Sequence, residues 1–269
     1  MQTVIYWDRT MRGFDEELAE AQKLFPVLFR RTAIPPGSLV IPRYSALPKN
    51  RELCEDIDAL GSRTINTYEQ HCYVADLRNW YYDLGEITPR TWFALDQIPN
   101  EGPFVLKGQT NSKKHQWNTH MFANTKREAA EVYYKLAIDG HVGAQQIYIR
   151  QYVPLKKLCD GLNGLPISEE YRFFILDGRV VSAGFYWSSH TEELEEQGIE
   201  LSPWTSGAKQ FVEKVIALVG NKCRFWVVDI ARTVNDQWLV VELNDGQQAG
   251  LSDIHPEEFY TRLKHRLST

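Results

Sequence analysis

The sequence predicts an α+β protein in two units, an alternating αβ unit over residues 1–98 and a larger α+β unit over 99–269. Three observations carry this. Short β-branched runs alternate with helix-period stretches through the first hundred residues. Pro99 to Pro103 has the composition of a linker. The remainder holds two strand–turn–strand patterns separated by a long amphipathic stretch.

In chain order, Thr3 to Trp7 predicts a strand, and Phe14 to Phe25 a helix with apolar residues at Phe14, Leu18, Ala21 and Phe25. Ser38 to Ile41 is a strand, Pro42 and Pro48 frame a loop, and Arg51 to Leu60 is a helix closed by Gly61. Ile65-Asn66 is a short strand, and Gln70 to Leu84 one helix. In the second unit Phe104 to Lys107 is a strand and Gly108 to Asn118 a polar loop. Thr125 and Glu128 form a capping box that opens a helix ending at Gly140. Ile147 to Gln151 is a strand. Asp177-Gly178 turns a hairpin between Tyr171 to Leu176 and Arg179 to Phe185. Gly207 to Val219 is a helix stopped by Gly220, and a last helix starts at Pro256.

Composition removes several classes of function. The hydrophobic share of 43% and charged share of 24% are those of a globular protein. A net charge of −5 argues against a nucleic-acid partner. No apolar run reaches membrane-spanning length, and the N-terminus reads as a strand rather than a secretory signal, so the expectation is cytoplasmic. Cys54, Cys72, Cys159 and Cys223 have no paired spacing and are expected to be free thiols. The seven histidines show no metal-ligand spacing.

The richest chemistry sits in Phe225 to Ala231 and Trp238 to Asn244, two apolar runs read as a hairpin about Asn235-Asp236. A two-residue turn there places Asp229 across from Glu242. Asn244 then projects from the same face, while Leu239, Val241 and Leu243 point to the other. Opposed carboxylates repel unless something compensates, and such an oxygen cluster suits magnesium; the alternative is an acidic face that meets water. Lys107 ends an apolar strand and requires a partner, a ligand or solvent. The polar loop after it is rich in donors but lacks Walker spacing. Arg172, placed opposite Ala183, has room to reach a phosphate or carboxylate, or it pairs with a nearby acid such as Glu170. Arg150 poses the same choice. Gln151 to Pro154 is either a connector whose backbone reads a base edge or a plain strand end.

In order, Lys107, a Ser/Lys loop, Arg150 to Pro154, Glu170 to Phe174 with Asp177-Gly178, Asp229, and Glu242-Leu243-Asn244 resemble the ATP-grasp superfamily. The resemblance spans roughly residues 99 to 255. The region before it resembles the αβ domain that precedes ATP-grasp modules, with Ile65-Asn66 and Thr88 to Thr91 at the expected places. Two α+β subdomains clamping ATP are implied. So are Lys107 on the α-phosphate and adenine, Lys114 and less securely Lys113 from a mobile loop, and Gln151, Tyr152 and Val153 around adenine, with Arg150 beside them. Arg172 would meet the γ-phosphate or an acyl phosphate, with Lys107 and Arg172 as the catalytic cations. Asp229, Glu242 and Asn244 would hold Mg2+. The loop is not Gly-rich, and Tyr186-Trp187 stands where many members keep another basic residue. These departures resemble a divergent phage and bacterial branch.

The resemblance implies an ATP- and magnesium-dependent ligase that joins a carboxylate to an amine through an acyl phosphate and releases ADP. Its substrates would be small molecules or peptides. Arg43, Tyr44, Asn66 and the loop Asp245 to Gly250 are expected to edge the cleft and touch them. The alternatives are phosphoryl transfer to a hydroxyl, nucleic-acid-end repair on the same nucleotide site, and a module that holds ATP without turnover.

Overall fold

The computed structural model describes residues 1–9, 13–44, 49–110 and 112–268. Pro48 of the expected loop and Asn111 of the polar loop therefore lie outside the described residues. The chain opens with β1 (Thr3–Asp8), α1 (Asp15–Leu24), β2 (Val27–Leu28), β3 (Leu39–Tyr44), α2 (Arg51–Ala59) and β4 (Arg63–Thr64). These strands form one parallel sheet in the order β2-β1-β3-β4. α3 (Tyr68–Ala75) and α4 (Leu77–Leu84) follow, where the sequence predicts one helix. The break is at Asp76. It accepts the Arg78 amide at 3.1 Å as the cap of α4 and the Tyr148 hydroxyl at 2.5 Å, so its side chain competes with a continuous helix ladder.

A second, antiparallel sheet has the order β5-β8-β6-β7, from β5 (Thr91–Trp92), β6 (Glu101–Gly108), β7 (Phe122–Thr125) and β8 (Ile147–Gln151). α5 (Trp117–His120) and α6 (Lys126–Ala137) accompany it. The residues expected as a linker are thus largely strand, since Glu101 to Pro103 belong to β6, and β5 joins this sheet from before residue 98. Thr125 caps α6 as expected, but Glu128 reaches back to the amide of Asn124 at 2.8 Å rather than to that of Thr125.

After the small pair β9 (Lys157–Asp160) and β10 (Pro166–Ser168), the third sheet holds β11 (Glu170–Leu176), β12 (Arg179–Phe185), β13 (Phe225–Arg232) and β14 (Trp238–Asp245). Its order is β12-β11-β13-β14. α7 (Thr191–Glu196) and α8 (Ser206–Val219) lie between its two hairpins, and α9 (Pro256–Ser268) ends the chain. Alternation gives this sheet two different faces. Tyr171, Phe173, Trp226, Val228 and Val240 pack with Val212 and Val215 of α8, and also with Leu77 and Trp80 of α4. On the opposite face, at one end, Phe174 and Val227 join Phe259 and Leu263 of α9 and Ile5 and Ile41 of the first sheet. The N-terminal unit therefore shares both these cores with the third sheet. The same face, past Phe174 and Val227, is left to polar residues.

Both hairpins depart from the simple register. In the first, the Asp177-Gly178 turn is present with φ of 49° and 71°, but a shift between Phe174 and Ile175 puts Gly184, not Ala183, across from Arg172. In the second, Asp229 does face Glu242, yet Ile230 pairs with Val240 and Arg232 with Trp238. The turn is longer than two residues, closed by the Thr233 amide on the Gln237 carbonyl at 2.8 Å. A bulge at Val241 restores the register. It also puts Val240 in the core and turns Leu239 and Val241 to the cleft, the reverse of the expectation for those two residues.

Candidate active site

The cleft lies between the second and third sheets. Val105, Lys107, Arg150, Gln151, Tyr152 and Val153 line it from one side, and Glu170, Leu239, Val241 and Glu242 from the other, with Lys114 of the polar loop over it. The expected nucleotide-binding residues other than Arg172 thus share one cavity. Gln151 to Val153 stand where β8 leaves its sheet, and the Tyr152 amide donates to the Pro103 carbonyl at 3.0 Å. Leu239 and Val241 give the same end an apolar wall suited to a flat ring.

Lys107 enters from the end of β6 and pairs with Glu242. Burial pushes the Lys107 ammonium below its ordinary range despite that partner. At Glu242 burial acts to raise the carboxyl, but Lys107, Lys114 and Arg172 outweigh it and hold it low. Arg172 donates through Nε and Nη2 to the two oxygens of Asp229, each at 2.8 Å, and through Nη1 to the Gly250 carbonyl at 2.8 Å. This two-point pair is buried, with Asp229 fully enclosed. Asn244 donates to Asp229 at 3.4 Å. Asp229, Glu242 and Asn244 therefore meet as expected, but each carboxylate is held by a cation of the chain. Among the described residues no group of three or more His, Cys, Asp and Glu forms a metal cage; the candidate set is two carboxylates and an amide.

Arg150 is buried, which lowers its guanidinium to about 10, and it donates to the Val241 carbonyl at 2.5 Å and Thr88 Oγ1 at 2.6 Å. It pins the bulge of β14 to the second sheet. Lys113, the second loop candidate, pairs with Asp139 at 2.7 Å and does not line the cleft.

Arg43, Asn66 and much of the 245–250 loop do not edge the cleft as substrate contacts. Arg43 is fully buried, pairs with Glu17 at 2.6 Å, and donates to the carbonyls of Gly246 and Ala249 at 2.8 Å each. Asn66 is bonded to both backbone groups of Phe225 and to Asp245. Asp245 also accepts from Gln247 and meets His71 Nδ1 at 2.8 Å. Tyr44 stacks on Tyr6 at 6.3 Å. Arg43 and Asn66 hold the loop that follows Asn244, so their polarity is spent within the fold rather than on a ligand.

In sequence Glu170 stands out only as a neighbour of Arg172. In the fold it is 2% exposed, and burial pushes its carboxyl up to about 7 although Lys114 opposes this. Oε2 accepts from Ser168 at 3.4 Å, and Oε1 has no hydrogen-bond partner among the described residues. The sign follows from a folded value above the unfolded one. The carboxyl destabilises the fold increasingly as pH rises from about 4 to about 7, and constantly above that. Glu170→Gln should therefore raise stability at pH 8 by about 2–3 kcal/mol, with the gain fading toward pH 4. Denaturant midpoints across that range check it; a gain that grows at low pH would refute the assignment.

The architecture has solved counterparts, all at low sequence identity. D-cycloserine synthetase DcsG is 14% identical, with a TM-score of 0.65 over 99% of this chain and 100% of its own. A RimK domain ATP-grasp protein from Sphaerobacter thermophilus is 12% identical, with a TM-score of 0.58 over 97% and 98%. The ATP-grasp ligase PsnB, solved with minimal precursor, Mg and ADP, is 10% identical, with a TM-score of 0.59 over 99% and 98%. No curated protein matches the chain. Residues 94–263 match the family model of an ATP-grasp domain, the third family of its clade, and the chain belongs to that family of ATP-grasp proteins.

Proposed function

We propose that the cleft binds ATP with magnesium and that the protein joins a carboxylate to an amine through an acyl phosphate, releasing ADP when the acyl phosphate forms and inorganic phosphate when the amine displaces it. The observation that carries this reading is the pair of buried ion pairs, Lys107 with Glu242 and Arg172 with Asp229, side by side on one face of the third sheet. Each is an exchangeable arrangement. Phosphate oxygens are acceptors for Lys107 and Arg172, and their arrival frees Glu242 and Asp229. With the Asn244 side-chain oxygen, the freed carboxylates form the oxygen set that magnesium prefers, so the residues fit the ion when nucleotide is present. Bound there, magnesium would supply positive charge to the transferring phosphoryl group.

The chain's own residues do the rest by position and charge. Lys107 and Lys114 neutralise the polyphosphate, and the Gln151 to Val153 connector holds the base. Arg172 orients the phosphoryl group toward the carboxylate and then holds the acyl phosphate, with no covalent nucleophile on the protein. The N-terminal αβ unit corresponds in this reading to the domain that precedes ATP-grasp modules, and of residues 1–98 it is Pro89 that lines the cleft. Substrates are small-molecule or peptide carboxylates and amines; PsnB, solved with a precursor peptide, supports the peptide case. The test is a panel of amino acids and short peptides offered with magnesium and ATP. ADP release dependent on both substrates is expected. AMP release, or ADP with a phosphorylated hydroxyl, would overturn the reading.

A further inference from the structure

Beside Arg172 lie Tyr186, Trp187 and Glu170, which the nucleotide reading leaves without a role. Tyr186 lies across from Glu170, its amide donating to the Glu170 carbonyl at 3.0 Å, so the two side chains stand on one face. The Lys114 ammonium occupies the space over them. Its Nζ is 4.0 Å from the centroid of Tyr186 and 4.7 Å from that of Trp187, and it donates to the Tyr186 hydroxyl at 2.6 Å. Two aromatic rings and a hydroxyl thus contact one ammonium, and the buried Glu170 carboxyl adds its charge from farther off, an arrangement that selects alkylammonium over neutral groups. Burial acts against the Lys114 charge, but Tyr186, Glu170 and Glu242 outweigh it and hold its ammonium above its ordinary range.

Several features show a site rather than a surface lysine at rest. Glu170 Oε1, an acceptor, is buried and has no hydrogen-bond partner among the described residues. Glu170 and Trp187 line the cleft together with Lys114. The guanidinium of Arg172 lies 4.8 Å from the Tyr186 centroid, so the place for a cation adjoins the residue assigned to the acyl phosphate. Lys114 is carried by the segment that joins β6 to α5, outside the sheets, and an arriving polyphosphate competes for its charge.

We propose that Tyr186, Trp187 and Glu170 form the seat of the amine substrate, which binds as a primary alkylammonium, and that Lys114 fills this seat until the phosphates of the nucleotide draw it away. The naming of the occupant as the amine substrate rests on the ligase reading; the cation seat itself does not. Filling the seat from within couples the two substrates. It opens when nucleotide is bound, beside the acyl carbon: the ammonium passes one proton to the Glu170 carboxylate, the freed amine forms the C–N bond, and the C–O bond to phosphate breaks, the phosphate leaving with the second proton.

The probe is n-butylammonium, with n-butanol as the uncharged control, followed by saturation-transfer NMR on the full chain. Lys114→Met should bind butylammonium about tenfold more tightly than the unsubstituted protein, without nucleotide and without binding butanol. The Mg–AMP-PNP complex should produce a similar gain in the unsubstituted protein. Adding Glu170→Gln to Lys114→Met should remove the gain; Tyr186→Leu, which leaves the buried carboxyl in place, should do the same and serves if the first double variant does not fold. Equal binding of butanol, no gain in Lys114→Met, or a gain that survives both second substitutions would overturn the seat. Failure of AMP-PNP to bind while Lys114→Met still gains would instead overturn the nucleotide reading and leave the cation seat standing.

Discussion

Glu242→Ala should lower ATP turnover by about two to three orders of magnitude, the scale seen when one preorganised electrostatic group is removed from an active site. Two losses combine. The magnesium set loses one of its two carboxylates, because Glu242 stands directly across from Asp229. Lys107, 7% exposed and paired with Glu242, loses its counter-charge, and burial already pushes its ammonium toward the neutral form. Glu242→Gln keeps the volume and one oxygen and should fall between the two. Steady-state ADP release under saturating magnesium checks the series. Turnover that survives Glu242→Ala would remove the metal assignment.

Arg172→Met should cost about 3–5 kcal/mol of stability, because it leaves Asp229 buried without its partner. The guanidinium also donates to the Gly250 carbonyl, so the loop after Asn244 loosens with it. Arg172→Met/Asp229→Leu should recover most of the loss, since replacing a buried pair by apolar groups is close to neutral. Urea midpoints at pH 7 test both variants. A single-variant cost below about 1 kcal/mol would mean that the pair is solvated and that its carboxylate has no need of exchange. Activity should be lost in both variants, which separates the fold's need for a neutral pair from the reaction's need for a cation.

Much of this site can be read from residue order. Lys107, the 151–153 connector, Arg172 and the Asp229/Glu242/Asn244 set are each ambiguous alone, yet their sequence of types constrains a fold. The Asp229–Glu242 pairing agrees with the simple hairpin register because it lies on the far side of a bulge whose extra residue compensates for a longer turn. That bulge has no signature in the sequence, and neither has the turning of Leu239 and Val241 toward the cleft. Local patterning also predicts α6 and its Thr125 cap. It fails at Asp76, where a partner as distant as Tyr148 splits a helix. Arg43 and Asn66 show the same limit more strongly. Their backbone-carbonyl partners lie in the 225–249 region, and a polar residue that binds such carbonyls across the fold looks, in sequence, like one that waits for substrate. Glu170 carries only a motif position; its open carboxylate oxygen is a product of burial in the fold, where Ser168 reaches the other oxygen alone.

The acyl phosphate is the centre of the chemistry proposed for the cleft, and hydroxylamine trapping reads it directly. The protein is incubated with magnesium, ATP and a panel of carboxylates in the presence of hydroxylamine but no amine substrate. A carboxylate-dependent hydroxamate should form in step with ADP, and the signal should vanish in Glu242→Ala. Nucleotide that binds in the cleft and is hydrolysed or transferred without any hydroxamate would contradict the ligase reaction.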